Sequence, residues 1–283
     1  MLNQKPEKAH EYSRGQGSRI MQIGTFARNN EQVRSSIEME PDFVDLRMDL
    51  NFSINFAQAK YDLNKAGIPC TLHLPSNPDW KPIELSRGIV PYIDLGRQID
   101  AEVVTFHTML STLFYDDYDI DIFLKALPLA CEASKEAGVT LAIETLGLYY
   151  TETQLLFDMF PEMRMNLDIG HGQILAKRNR AFDHISTFFD KIAMINVHDN
   201  HGSKMVDDVL KMKKEREVTQ GEIRELAVRY DTHLPIGEGE IDFESIFREL
   251  KQRGYDGRFL MMCECPSDFP MEREKFTKLW LAA

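Results

Sequence analysis

From Met21 to the end of the chain, short apolar runs alternate with stretches of helical spacing. The runs are Met21–Phe26, Phe43–Met48, Cys70–Pro75, Glu102–His107, Val139–Thr145, Met163–Asp168, Ile192–His198 and Phe259–Glu264. Helical patterns cover Phe56–Ala66, Leu85–Asp100, Ile120–Ala137, Glu152–Phe160, Phe182–Phe189, Phe243–Arg253 and Glu272–Leu281. Gly67, Gly138 and Gly254 follow three of these segments, where a left-handed residue closes a helix. The runs read as continuous and apolar rather than alternating, as expected of parallel strands covered on both faces. Eight strands alternating with helices predict an α/β fold, a single closed (β/α)8 barrel. An open doubly wound sheet needs a glycine-rich phosphate turn after its first strand, and Gly24-Thr25-Phe26-Ala27 does not provide one.

One segment breaks the rhythm. Residues about 203–230, after the seventh strand, form a long charged insertion. Leu210, Met212, Ile223, Leu226 and Val228 lie partly at helical spacing, which predicts helices within Met205–Tyr230. Two readings stand: a solvated helix pair, or a lid over the barrel mouth. Lys211–Glu217 (KMKKERE) reads as a solvated helix face. Residues 1–20 are polar and read as a disordered leader, leaving 21–283 as the barrel domain.

The length of 283 residues suits one barrel, which typically takes roughly 250. No apolar run approaches the roughly 18–20 residues of a membrane helix, and the leader lacks the apolar stretch of a secretory signal. The expected location is cytoplasmic, with no membrane partner. A formal net charge of −12 argues against a nucleic-acid partner, since duplex binding draws on Lys and Arg. Cys70, Cys131, Cys263 and Cys265 show no CxxC spacing and read as reduced, structural thiols. A homo-oligomer is one expectation for the assembly.

Polar residues end the apolar runs. His73 ends the third, His107 the fourth, Glu144 the fifth and Asp168 the sixth, with His171 one turn on. His198 ends the seventh and Glu264 the eighth, and Asp231-Thr232-His233 lies between them. In a barrel the C-terminal strand ends share one face, so these residues converge. Two carboxylates about 4 Å apart repel by roughly 4 kcal/mol at an effective dielectric near about 20, so the cluster needs protons or a cation. Imidazoles interleaved with carboxylates suit divalent metals of borderline softness.

These segments (LHLP, FHTM, AIET, NLDIGHGQ, NVHDN, DTHLPIGEGEIDF and MCEC) resemble the xylose isomerase-like, AP-endonuclease family 2 barrel superfamily from Met21 onward. The resemblance implies two sets of roles. In its sugar isomerases and epimerases one Mn, Mg or similar ion is held by residues matching Glu144, Asp168, His198 and Glu264. The two glutamates double as acid/base groups, and His171 contacts substrate. In its endonuclease IV-like members three zinc ions take nine ligands, matching His73, His107, Glu144, Asp168, His171, His198, Asp231, His233 and Glu264. One to three divalent ions (Mn, Mg or Zn) are therefore implied.

Departures from the nuclease pattern favour a small sugar-like substrate. Thr108-Met109 follows His107 where Pro-Gly is expected. Leu74-Pro75-Ser76-Asn77-Pro78 replaces an aromatic DNA-contact loop, and Asp199-Asn200-His201-Gly202 follows His198. The implied reaction is isomerisation or epimerisation of a sugar, sugar phosphate or related hydroxy-carbonyl compound, by proton transfer through a metal-stabilised enediolate. Glu144 is the expected base. The alternative is a zinc phosphodiesterase acting at abasic DNA; a third is a metal-binding barrel without catalysis.

Other positions carry two readings each. Arg28, Asp45 and Arg47 are either strand-end ion pairs or groups facing the mouth, where Arg47 would bind a substrate carboxylate or phosphate. Glu238 and Glu240 either orient His233 or belong to a turn leading to the helix cap Asp242. Trp80 reads as a buried loop anchor or a pocket wall. Alternation about Glu264 points Cys263 and Cys265 away from the barrel interior.

Overall fold

The computed structural model describes residues 21–76 and 85–283. The expected leader, Trp80, and Asn77-Pro78 lie outside the described residues. Eight strands, β1 (Gln22–Ala27), β2 (Val44–Arg47), β3 (Cys70–His73), β4 (Val103–His107), β5 (Thr140–Glu144), β6 (Arg164–Asp168), β7 (Ile192–Val197) and β8 (Arg258–Met261), follow one another in order. Each pairs in parallel with its neighbours, and β8 closes on β1. This is the expected (β/α)8 barrel.

Helices α1 (Asn30–Glu38), α2 (Phe56–Ala66), α3 (Leu85–Gln98), α4 (Asp117–Ala137), α5 (Tyr150–Met159), α6 (Ile169–Gln173) and α7 (Ala181–Phe188) fill the crossovers as far as β7. Three more follow β7: α8 (Lys204–Glu215), α9 (Gln220–Tyr230) and α10 (Phe243–Gln252), the first two forming the insertion. Helix α11 (Phe269–Ala282) follows β8. Asparagine and aspartate side chains cap several helices: Asn55 accepts from Gln58 N, Asp116 from Asp119 N, and Asp242 from Ser245 N. The cap expected at Asp242 is thus in place.

The strands are not uniformly apolar. Alternate residues on β2–β7 read Asp45/Arg47, Thr71/His73, Thr105/His107, Ala142/Glu144, Asn166/Asp168 and Asn196, with His198 continuing the last of these just past β7. Several of these meet one another by hydrogen bond, so this parity faces the barrel interior. The opposite parity, including Leu46, Leu72, Phe106, Ile143, Leu167 and Val197, joins the main core with Leu63, Ile93, Leu127, Leu156, Ile185 and Phe247 of the helices. A smaller cluster, Phe26, Phe43, Met194, Leu260 and Met262, contributes apolar packing on the β1, β7 and β8 side. Gly24 makes room for it: a Cβ there would stand 2.5 Å from the Phe43 ring.

Three elements differ from the sequence expectation, the first being the short helix α6, which no predicted segment covers. Helix α1 had no counterpart either, because NEQVRSSIE offers only Val33 and Ile37 as apolar positions. Strand β8 stops at Met261, three residues short of Glu264. Among the described residues no helix is long and apolar enough to cross a membrane.

Candidate metal centre

The register of the barrel brings the strand ends together. Arg47 pairs across to His73, His107 to Glu144, and Asp168 to Asn196. Glu144 is fully buried, ringed by three imidazoles and one amide donor. His73 Nε2 lies 3.1 Å from its Oε2, which also accepts from Asn196 Nδ2 at 3.1 Å. His171 Nδ1 lies 3.1 Å and His107 Nε2 3.4 Å from its Oε1. Asn196 also donates to Asp168 Oδ2 at 3.0 Å, so it ties the two carboxylates together.

Asp168 has a local task as well. Its Oδ1 accepts from His171 N at 2.7 Å and caps α6, which sets His171 one turn beyond β6. The same oxygen lies 3.0 Å from His198 Nε2. Gly170 explains the close approach of His198: a Cβ there would meet the ring at 2.0 Å. Asp231, at the end of α9, reaches in from the insertion. Its Oδ2 lies 3.1 Å from His171 Nε2 and 3.2 Å from His233 Nε2. His233 takes a left-handed backbone (φ 47°) and stacks on His198 with ring centroids 3.9 Å apart.

Three groups of side chains could each hold an ion: His171, His198, Asp231 and His233; His73, His107 and Glu144; and Glu144, Asp168 and His171. Within each group one ligand atom per residue lies within 4.8 Å of the others. The chemistry of the donors fits a cation. A backbone carbonyl can only accept, so His73 Nδ1–H donates to Leu74 O (2.9 Å) and His233 Nδ1–H to Met262 O (2.8 Å). With Nδ1 so committed, each Nε2 faces a carboxylate, which is favourable only with a proton or metal ion between. Among the described residues, buried His107 Nδ1 and Asp231 Oδ1 have no hydrogen-bond partner.

Without a metal, protons do part of this work. Burial would push the Glu144 carboxyl up, but the His107, His171 and His73 imidazoles hold it well below the usual carboxylate range. Burial opposes charge on His171 too, yet Asp168 and Asp231 hold it well above the ordinary imidazole value. Asp231 is likewise held low against burial by His233 and His171. His107 goes the other way, its pKa lowered by burial.

The cluster forms the base of a cavity of about 540 Å3, whose walls include Phe26, Arg28, Arg47, Asp49, Val228 and Glu264. Glu264 is exposed, and its side chain has no hydrogen-bond or ion-pair partner among the described residues. It belongs to none of the three groups. Cys263 lines the cavity instead of pointing away, because β8 has ended and alternation no longer applies. Val228 brings the insertion to the cavity wall, while Lys211, Lys213 and Lys214 of α8 are exposed.

Glu238 and Glu240 do not touch His233: Glu240 accepts from Ser203 N, and Glu238 lies 3.7 Å from Lys275 Nζ. Asp199 organises that loop, accepting from Gly237 N, Gly239 N and Ile241 N. Sequence reasoning missed Asn196 and Asp49. Asn196 was legible as a polar residue two before His198 on the same strand parity.

A family model described as "Xylose isomerase-like TIM barrel" matches residues 35–278. The chain belongs to the xylose isomerase-like TIM barrel family. Similar solved structures include a D-tagatose 3-epimerase-like protein (TM-score 0.65, 20% identical, covering 93% of this chain and 98% of that one). L-ribulose 3-epimerase is 14% identical with a TM-score of 0.66, covering 93% and 95%. A xylose isomerase domain protein from Planctomyces limnophilus is 11% identical with a TM-score of 0.67, covering 93% and 98%. At these identities the likeness is one of fold. An uncharacterized protein of Methanocaldococcus jannaschii is 24% identical over 166 residues, 56% of this chain and 54% of that protein. This xylose isomerase-like barrel spans about half the length of the curated relatives it matches.

Proposed function

We propose that the protein is a divalent-metal-dependent isomerase or epimerase of a sugar or related hydroxy-carbonyl compound. One observation carries the reading: a small cavity holds a buried carboxylate–imidazole cluster at its base and a separate, unpartnered carboxylate, Glu264, on its wall. That division suits proton transfer at carbon. The epimerase names among the similar folds agree with it.

Glu144, Asp168 and His171, with His198, Asp231 and His233 beside them, would hold the metal; His73 and His107 provide for a further ion. A divalent ion there supplies Lewis acidity toward a carbonyl and the adjacent hydroxyl oxygen. The protein's own groups do the rest. Both oxygens of Glu144 face imidazoles, so it acts as a ligand, and the base assigned to it from sequence passes to Glu264. In isomerisation Glu264 would take a proton from one carbon and return it to its neighbour, while the hydroxyl proton moves to the former carbonyl oxygen. In epimerisation Glu264 would take the proton from one face of a carbon, and a second proton donor on the opposite face would return one to the same carbon. Asn196 keeps the Glu144 and Asp168 oxygens in place.

The test is a panel of sugars incubated with metal-loaded protein in deuterated water, with product analysis and metal content measured on the same samples. Glu264→Gln is expected to abolish turnover while metal content is kept, and Glu144→Gln to lose both. Cleavage of abasic duplex, absent from Glu144→Gln and accompanied by no isomerisation, would replace this reading with the nuclease one.

A further inference from the structure

The cavity wall facing the metal-ligating cluster is built from guanidinium groups. Arg28 follows β1 directly and Arg47 ends β2, on the opposite side of the barrel from β5 and β6. Both line the cavity. Asp49 joins them: its Oδ1 and Oδ2 accept from Arg28 Nε and Nη2 at 2.8 and 3.1 Å, and Oδ2 accepts from Arg47 Nε at 2.9 Å. Arg47 Nη1 is 3.4 Å from Asp45 Oδ2 and 3.3 Å from Met262 Sδ. The Arg28 guanidinium also lies over the Phe26 ring at 4.6 Å. Neither guanidinium is free to swing.

Two donor groups are left over. Among the described residues, Arg28 Nη1 and Arg47 Nη2 donate to no protein atom. The Arg47 side chain is only 3% exposed. Neither nitrogen is among the buried unpartnered atoms, so both donors open onto the cavity they line and are available to a bound group. Asp45 stands behind Arg47, fully buried, with its Oδ1 taken by Thr71 Oγ1 at 2.5 Å. Of the two carboxylates paired with these arginines, Asp49 lines the cavity and Asp45 does not. Paired, immobilised guanidiniums with spare N–H groups are the recognition geometry for a planar or tetrahedral oxyanion.

We propose that this wall binds an oxyanion, a carboxylate or phosphate that the substrate carries away from its reacting carbons. The substrate class then narrows from hydroxy-carbonyl compounds in general to acidic ones. The proposal rests on the metal-dependent isomerase reading for the identity of the other end of the substrate; the anion wall itself does not depend on it. Asp49 is a positioning residue: it fixes the two arginines and leaves the contact with substrate to them.

The test compares sugars that differ at one terminus. Equilibrium binding to the metal-loaded protein is measured for D-glucose, D-glucuronate and a terminal phosphate ester of D-glucose, at low and high salt. At least one of the anionic sugars should bind tenfold or more tightly than D-glucose, and which one does distinguishes carboxylate from phosphate. Arg28→Gln should bring that ratio to within about threefold of unity, with Arg28→Lys recovering part of it. Arg28 is partly exposed, so the variant should fold, and a thermal melt on the same preparation checks this. Equal binding of all three sugars overturns the proposal. So does an anion preference that survives Arg28→Gln, since the metal would then be its source. Isomerisation is assayed separately: anion preference without isomerisation of any sugar keeps the wall and removes the isomerase reading. Isomerisation of neutral sugars without anion preference does the reverse.

Discussion

Gly170→Ala tests the packing that holds the candidate centre together. An added Cβ would stand 2.0 Å from His198 Cε1, 2.2 Å from Nε2 and 2.4 Å from Nδ1. Carbon atoms in contact sit about 3.5–4.0 Å apart, so the ring or α6 must move by about 1.5 Å. Overpacking of this kind costs about 1–3 kcal/mol. The movement also breaks the 3.0 Å contact of His198 Nε2 with Asp168, which is worth about 1–3 kcal/mol for a charged partner. The expected destabilisation is about 4 kcal/mol, read by urea unfolding of metal-free protein. Metal affinity, measured by zinc titration, should fall about 10–100-fold because a ligand and its orienting partner separate. Gly221→Ala is the control. It lies in the first turn of α9, where the nearest atom to an added Cβ is Thr219 Oγ1 at 3.9 Å, and should leave stability unchanged or raise it by up to about 0.5 kcal/mol. Unchanged unfolding and unchanged zinc affinity in Gly170→Ala would refute the argument.

Three further outcomes follow from the same geometry. His184 is buried at Thr153 Oγ1 (3.1 Å), and burial, then Arg180, depress its pKa from 6.5 to about 4. The folded state thus holds the neutral ring, so stability is full above about pH 6.5 and falls by about 3 kcal/mol as pH drops through about 4; His184→Gln should flatten that part of the profile in metal-free protein. Asp199→Asn removes an acceptor shared by Gly237 N and Gly239 N or by Ile241 N, and should cost about 2–4 kcal/mol in the same unfolding assay; a neutral result would show that the loop does not depend on this carboxylate. Chelation should lower the melting temperature, and zinc or manganese at about a hundredfold excess over Kd should restore about 2.7 kcal/mol; a melt indifferent to chelator would count against any resident ion.

The barrel was legible because its outward strand parity is apolar and each strand is short, so every run stood out against polar helical neighbours. Four strands end at the residues that sequence marked: His73, His107, Glu144 and Asp168. The inward polar parity was hidden by small or weakly polar residues such as Thr71, Thr105 and Ala142, which leave a run looking continuous. Strand β8 was read too long because Met262 and Cys263 continue the apolar run although the β8 strand ends at Met261. The pairing of Arg28 with Asp49 has no sequence signal, since it joins the residue after one strand to a loop after the next. Glu264 was read as a ligand from its position; its exposure depends on where β8 stops.

Asp231 and His233 belong to the stretch that leads out of the insertion. Helix α9 is fastened at both ends: Gln220 Nε2 donates to Thr112 O and Tyr115 O and Arg224 Nη1 to Phe114 O, while Tyr230, next to Asp231, donates to Asp208 on α8. Ion occupancy and ordering of this helical pair are then linked equilibria, each strengthening the other by the same factor. Amide hydrogens of α9 should exchange more slowly as the centre fills, while those of α2, on the far side of the barrel, report no change. Variation in the insertion could in the same way retune affinity at the centre while every strand of the barrel keeps its sequence.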